Sequence, residues 1–169
     1  MAISVPGAKN VIEYVVFDHY GTITVHGAIV TGLSERIDKL RQKIDALYLF
    51  SSNAYEDAQV TADQLGLSLR ITDSAVKKSS EIIQLGEDKG AVIGNGDDDV
   101  YMLEKAILPI AVCQKEGLSV QALGASRVMF NDILAAIDFL LDERRMVDTL
   151  GVGSKLICQN DDFSSFCRK

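Results

Sequence analysis

The stretch EYVVFDHYGTITVHG (Glu13–Gly27) runs through apolar residues to a carboxylate, Asp18, and then into a turn at Gly21 and Thr22. A carboxylate at a strand end can act as a nucleophile or a metal ligand, or it can cap the turn that follows. A second apolar run, LYLF, ends at Ser51, with Ser52 and Asn53 next. A hydroxyl there can hydrogen-bond a phosphoryl oxygen beside the N–H groups of a helix start, or one of these three residues can be the helix N-cap. Lys77 and Lys78 open a pattern that continues through Ile82, Ile83 and Leu85. A lysine so placed can neutralise a carboxylate and a phosphate together, or the two can form a solvated surface pair. In AVIGNGDDDVYMLEKA (91–106), two glycines flank Asn95, and Asp97, Asp98 and Asp99 follow. Hard oxygen donors on a short loop suit Mg²⁺, whereas an EF-hand needs a different spacing and a closing glutamate. The plainer reading of the same loop is an acidic helix start favoured by the helix dipole.

These residues need elements to hold them. YVVF (14–17), LYLF (47–50), AVIG (91–94), IAVC (110–113) and RVMF (127–130) are apolar for nearly their whole length, as strands buried on both faces are. Helical spacing links Leu33, Ile37, Leu40 and Ile44, and further helices are predicted over 54–65, 77–85, 98–107, 117–123 and 131–142. Alternating strands and helices predict a Rossmann-like, three-layer α/β/α fold around a mostly parallel sheet. Ligands in such folds sit beyond the carboxyl ends of the strands, where Asp18, Ser51 and the 94–99 loop would converge.

The chain has 169 residues, enough for one well-filled core. Residues 1–150 are expected to form a single domain and 151–169 a peripheral or partly ordered C-terminal tail. A formal net charge of −7 disfavours generic binding to nucleic-acid backbone. No apolar stretch approaches the ~18–20 residues that span a bilayer, and the N-terminus carries no signal-peptide pattern. Cys113, Cys158 and Cys167 form no CxxC pair and cannot all pair internally, which agrees with a reduced, cytoplasmic setting, and the lack of a long apolar stretch leads to the expectation of no membrane partner.

Taken in order, the four segments resemble the motifs of the haloacid dehalogenase superfamily, which is dominated by phosphatases and phosphotransferases. DHYGT is similar to the first motif, Asp-x-Asp-Gly-Thr, except at Tyr20. LYLFS resembles the second, and Lys78, with Lys77 as the alternative, resembles the third. GNGDDD resembles the fourth, Gly-Asp-Gly-x-x-Asp, with Asn95 and Asp99 at the ligand positions. FDHYGTITVHGAIVTGLSERI, GNGDDDVYML, AVCQKEG and AIDFLLDERRMVDTL are also similar to small stand-alone proteins related to the phosphorylation domain of P-type ATPases.

The resemblance implies that Asp18 attacks phosphorus to form an aspartyl-phosphate. Mg²⁺ would be held by Asp18, the Tyr20 backbone carbonyl, Asn95 and Asp99, and the phosphoryl group by Ser51, Ser52, Lys78 and the Gly21-Thr22 turn. The aspartate replaced by Tyr20 normally serves as general acid and base, worth about 10²–10⁴-fold. A phenol, ordinarily titrating near about 10, is a poor base at neutral pH. Slow turnover, or selectivity for acyl phosphates and phosphoanhydrides, is therefore expected. His26, on the hairpin after the first motif, is a candidate replacement acid; His19 occupies a position that varies in the family. The alternative is a catalytically impaired phosphate-binding or regulatory protein. Asp18 to Ser51 spans 51 − 18 = 33 residues and Ser51 to Lys78 spans 78 − 51 = 27, too few for an inserted cap domain. An open site predicts a bulky phosphorylated substrate, small molecule or protein, or a homo-oligomer that covers it.

Overall fold

In the computed structural model, which describes residues 3–44, 46–52 and 56–151, the continuous apolar runs become strands; four are largely buried, whereas RVMF (127–130), expected to be buried on both faces, lies at the edge of the sheet with Met129 44% exposed. A short N-terminal pair, β1 (Ile3–Ser4) and β2 (Val11–Ile12), leads into β3 (Tyr14–Asp18). A small hairpin follows, β4 (Thr24–Val25) and β5 (Ala28–Ile29), and then α1 (Leu33–Arg41) and β6 (Ala46–Ser51). Next come α2 (Glu56–Leu65), β7 (Ser68–Ile71), α3 (Ala75–Leu85) and β8 (Gly90–Gly94). A 3₁₀ turn at Asp97–Asp99 opens into α4 (Val100–Leu103) and β9 (Leu108–Val112). The last described elements are α5 (Val120–Gly124), β10 (Val128–Phe130), α6 (Ile133–Leu141) and α7 (Glu143–Leu150).

Six strands form one sheet in the order β10-β9-β8-β3-β6-β7, and every pairing in it is parallel. Parallel neighbours must be joined by crossovers, and the helices supply them. Side-chain alternation in β3 sorts the two faces. Val15 and Phe17 pack with Leu33, Ile37 and Leu40 of α1 and with Ile133, Ile137 and Leu140 of α6. Tyr14 and Val16 pack with Ile82 of α3, Met102 and Leu103 of α4 and Ala122 of α5. The three-layer architecture expected from the sequence is thus present.

The chain leaves β3 toward β6 and β7 on one side and returns to place β8, β9 and β10 on the other. The topological switch point therefore lies between β3 and β8, where a crevice opens beyond the strand ends. Among the described residues, only the hairpin and α1 lie between Asp18 and Ser51, and only α2 and β7 between Ser51 and Lys78 before α3 begins. No cap domain is present there among the described residues. The helix expected over 98–107 is shorter: α4 ends at Leu103 and the chain turns back into β9. Leu108, held extended by Pro109, pairs with Ala91, and the Ile107 N–H donates to the Gly90 carbonyl at 3.1 Å, so the chain must leave the helix before it reaches them. Residues 152–169, which hold most of the expected tail and Cys158 and Cys167, lie outside the described residues. No helix among the described residues is long and apolar enough to cross a membrane.

Candidate active site

Asp18 ends β3 on the same face as Tyr14 and Val16, so its carboxylate points toward α3. There Lys78 sits one helical turn before Ile82, and both are buried. Ser74 caps α3 by accepting a hydrogen bond from the Lys77 N–H at 3.2 Å. The Lys78 side chain is only 1% exposed, and its Nζ donates to Asp18 Oδ1 at 2.7 Å, Asp99 Oδ1 at 2.7 Å and Asp98 Oδ2 at 2.6 Å. Lys77, by contrast, is half exposed and lies 3.8 Å from Glu81. Of the two lysines the sequence offered, the fold selects Lys78.

Asp99 is pinned from the other side. Its Oδ2 accepts the backbone N–H groups of Asn95 at 2.9 Å and Gly96 at 3.0 Å. Gly94 permits this packing, since a Cβ there would meet Asp99 Oδ2 at 2.5 Å. Thr22 Oγ1 lies 3.3 Å from Asp18 Oδ2 and 3.2 Å from Asn95 Oδ1, with one proton to share between them, and Asn95 Nδ2 donates to the Gly117 carbonyl at 3.2 Å. The Asn95 carboxamide thus ties the first loop to the 117 turn. Gly21 makes room for it: its φ is +74°, and a Cβ would lie 2.5 Å from Asn95 Nδ2. The Gln114 amide braces the same turn, donating to the carbonyls of Gly21 (3.3 Å) and Thr22.

The charges do not balance. Three carboxylates surround one ammonium, so full ionisation would leave −3 + 1 = −2. Burial raises the Asp18 pKa, with Asp98 adding to the effect and Lys78 opposing it. Asp99 is pushed up to about 7, first by burial and then by Asp18, again against Lys78. Burial alone would lower the Lys78 pKa, but Asp18, Asp99 and Asp98 outweigh it and hold the ammonium well above the ordinary lysine value. The oxygens of Asp18, Asp98 and Asp99 all lie within 4.8 Å of one another. This is a set of hard donors with surplus negative charge, which suits a divalent cation.

Ser51 is fully buried at the end of β6, next to β3. Because α2 begins at Glu56, neither Ser51 nor Ser52 is its N-cap, and Ser52 itself is exposed; Asn53 lies outside the described residues. The Tyr20 side chain is 41% exposed, and its hydroxyl donates to Asp57 in the first turn of α2. His26 sits at the turn of the β4–β5 hairpin with φ +51°, exposed, its backbone N–H donating to Glu116 Oε1 at 2.6 Å. His19 is buried between Ser51 and Thr61, and burial lowers its pKa while Asp57 opposes. Sequence reasoning set His19 aside as a position that varies in the family and passed over Asp57, Thr61 and the bracing role of Gln114; no local signal in the sequence marks these contacts. A cleft of about 670 Å³ borders the site, lined by Asn95, Gly96, Asp97, Glu116 and Ser119 among others.

No protein-family model matches the chain, and no curated protein does. Several solved structures share its fold. The cobalt-bound deoxy-D-mannose-octulosonate 8-phosphate phosphatase of Haemophilus influenzae is 12% identical, with a TM-score of 0.65 over 86% of this chain and 96% of that one. The 3-deoxy-D-manno-octulosonate 8-phosphate phosphatase of Moraxella catarrhalis, in complex with magnesium, phosphate and KDO, is 15% identical, with a TM-score of 0.64 over 78% and 87%. A Streptomyces avermitilis protein assigned to the HAD family of hydrolases is 18% identical, with a TM-score of 0.63 over 89% and 91%. The chain therefore has the haloacid dehalogenase-like fold.

Proposed function

We propose that this protein is a Mg²⁺-dependent phosphohydrolase or phosphotransferase in which Asp18 carries the phosphoryl group. One observation carries this reading: Lys78 Nζ bridges Asp18 and Asp99 at 2.7 Å each, at the switch point between β3 and β8. Metal-bound phosphatases of the same fold support it. Asp18, Asp98 and Asp99 would supply carboxylate oxygens to Mg²⁺, with Asn95 and the Tyr20 carbonyl as the further ligands that the motif resemblance implies. When bound, the ion supplies charge compensation for the phosphoryl oxygens.

The protein's own groups then have defined tasks. An Asp18 carboxylate oxygen attacks phosphorus, a P–O bond to the leaving group breaks, and an aspartyl-phosphate forms. Lys78 neutralises the nucleophile and the transferred group, and the Ser51 hydroxyl donates to a phosphoryl oxygen. Gly21 and Thr22, with Ser52 beside the loop, complete the anion's surroundings. Tyr20 offers no carboxylate to protonate the leaving oxygen, and its hydroxyl is engaged by Asp57. Acyl phosphates and phosphoanhydrides, whose leaving groups depart without a proton, are the preferred substrates. Attack of water on the aspartyl-phosphate then lacks a base, so this intermediate persists. The resemblance to P-type ATPase phosphorylation domains favours the same outcome. The setting is cytoplasmic, the substrate a phosphorylated small molecule or protein, and a second copy of the chain is the cover that an uncapped site invites.

Tyr20 also favours a second reading, a phosphate-binding or regulatory protein that keeps the fold without turnover. Assays of p-nitrophenyl phosphate, acetyl phosphate and ATP with Mg²⁺ separate the two. Acetyl phosphate is expected to be cleaved fastest, and Asp18→Asn is expected to abolish the activity. Equal activity in Asp18→Asn sinks the aspartyl-phosphate route, and no turnover with tight phosphate binding selects the second reading. Tyr20→Asp is expected to accelerate p-nitrophenyl phosphate hydrolysis by about 10²-fold or more. No acceleration would overturn the role given to Tyr20.

A further inference from the structure

Between Asp18 and Tyr20 lies a buried imidazole that the chemistry above does not use. His19 follows the last residue of β3 and packs toward α2, and only 2% of it is exposed. Its Nδ1 lies 3.2 Å from Ser51 Oγ, and its Nε2 lies 3.3 Å from Thr61 Oγ1 on α2. Ser51 and Thr61 are buried as well. The three side chains form one line, from a helix hydroxyl through a ring to the hydroxyl that ends β6, the strand next to the one that ends in Asp18.

A neutral imidazole has one N–H and one bare nitrogen, whereas a hydroxyl can donate or accept. Two directions are therefore available to the line. If the proton is on Nε2, Ser51 must give its own proton to Nδ1, and that proton is then lost to a bound anion. If the proton is on Nδ1, the ring donates to Ser51 Oγ and accepts from Thr61, and the Ser51 proton can be directed at a phosphoryl oxygen. In this direction each donor strengthens the next.

We propose that His19 is a positioning residue for phosphate binding: Thr61 Oγ1 donates to Nε2, Nδ1 donates to Ser51 Oγ, and Ser51 donates to the phosphoryl group. The inference rests on the phosphoryl-transfer reading of the site. It gives a task to a residue at a position that the motif leaves variable, and to a threonine on α2 that touches no substrate.

The test uses the full chain and begins without any substitution. The chain has two histidines, so ¹⁵N-histidine NMR with a His26→Gln variant assigns both rings. His19 is expected to show a protonated Nδ1 and a bare Nε2; a protonated Nε2, or a doubly protonated ring, overturns the proposal. Inorganic phosphate affinity with Mg²⁺ is then measured by calorimetry for wild type, the near-isosteric Thr61→Val, Ser51→Ala and the double variant. Thr61→Val is expected to weaken phosphate about 3- to 10-fold when Ser51 is present, as loss of one buried hydrogen bond would. It is expected to change affinity by about twofold or less in the Ser51→Ala background. Equal weakening in both backgrounds overturns the relay and leaves the phosphate site standing. Wild type that binds no phosphate, or binding unaffected by Ser51→Ala, overturns the phosphoryl role of Ser51 and the relay with it.

Discussion

Lys78, Asp18 and Asp99 form a buried set whose negative charge exceeds its positive charge, and that surplus has a measurable pH signature. Burial first, and Asp18 after it, push the Asp99 pKa in the folded chain up to about 7 from an ordinary 3.8. The folded state therefore binds its proton more tightly than the unfolded state between those values. The stability this contributes is fully present below the unfolded pKa and is lost as pH rises through about 7. Without metal, the Tm of wild type relative to Asp99→Asn is expected to fall between about pH 4 and about pH 7. Mg²⁺ must displace that proton, so its affinity is expected to rise over the same interval, with proton release detectable by calorimetry in buffers of different ionisation enthalpy. A wild-type advantage that is constant with pH would contradict the burial-driven shift of Asp99. The types of these residues were legible from the start. That Lys78 and not Lys77 enters the site was not, because neighbouring positions on a helix differ in direction only once the helix is packed.

At the scale of elements, the site depends on two loops that meet. The Gly21 turn after β3 packs on the Asn95 carboxamide after β8, and the left-handed backbone at Gly21 makes that approach feasible. Gly21→Ala is expected to cost about 1–2 kcal/mol from the left-handed conformation alone. Displacement of Asn95 adds to this, and the loss is readable as a lower urea midpoint with a larger fall in activity than in stability. Full activity in Gly21→Ala would mean that the two loops need not touch. Helix α3 presents Lys78 and Ile82 on one side, so the packing of Ile82 into the core also delivers the ammonium. Strand positions followed from apolar runs with little error. The extent of α4 did not, since the helical pattern read over 98–107 ran on past Leu103, where the chain already turns toward the strand that Leu108 begins.

Taken whole, the molecule places its site at the reversal of strand order, with no cap domain over it among the described residues. A cation bound only by the folded cluster must stabilise the fold. At 100 times its Kd, Mg²⁺ is expected to add about 2.7 kcal/mol, readable as a raised Tm that Asp18→Asn or Asp99→Asn diminishes. A Tm indifferent to Mg²⁺ at millimolar concentration would remove the metal from the account. The layered fold, the strands and the four chemical segments could all be read from the chain, because hydrophobic period and turn composition are local properties. Asp98 as the third carboxylate on Lys78, the Tyr20–Asp57 pair and the Thr61–His19–Ser51 line came only with the folded chain. These contacts join residues 20 to 42 positions apart, and nothing local in the sequence encodes which of them will meet. Only the parallel sheet, by bringing the ends of β3, β6 and β8 to one edge and laying α2 and α3 on opposite faces, decides it.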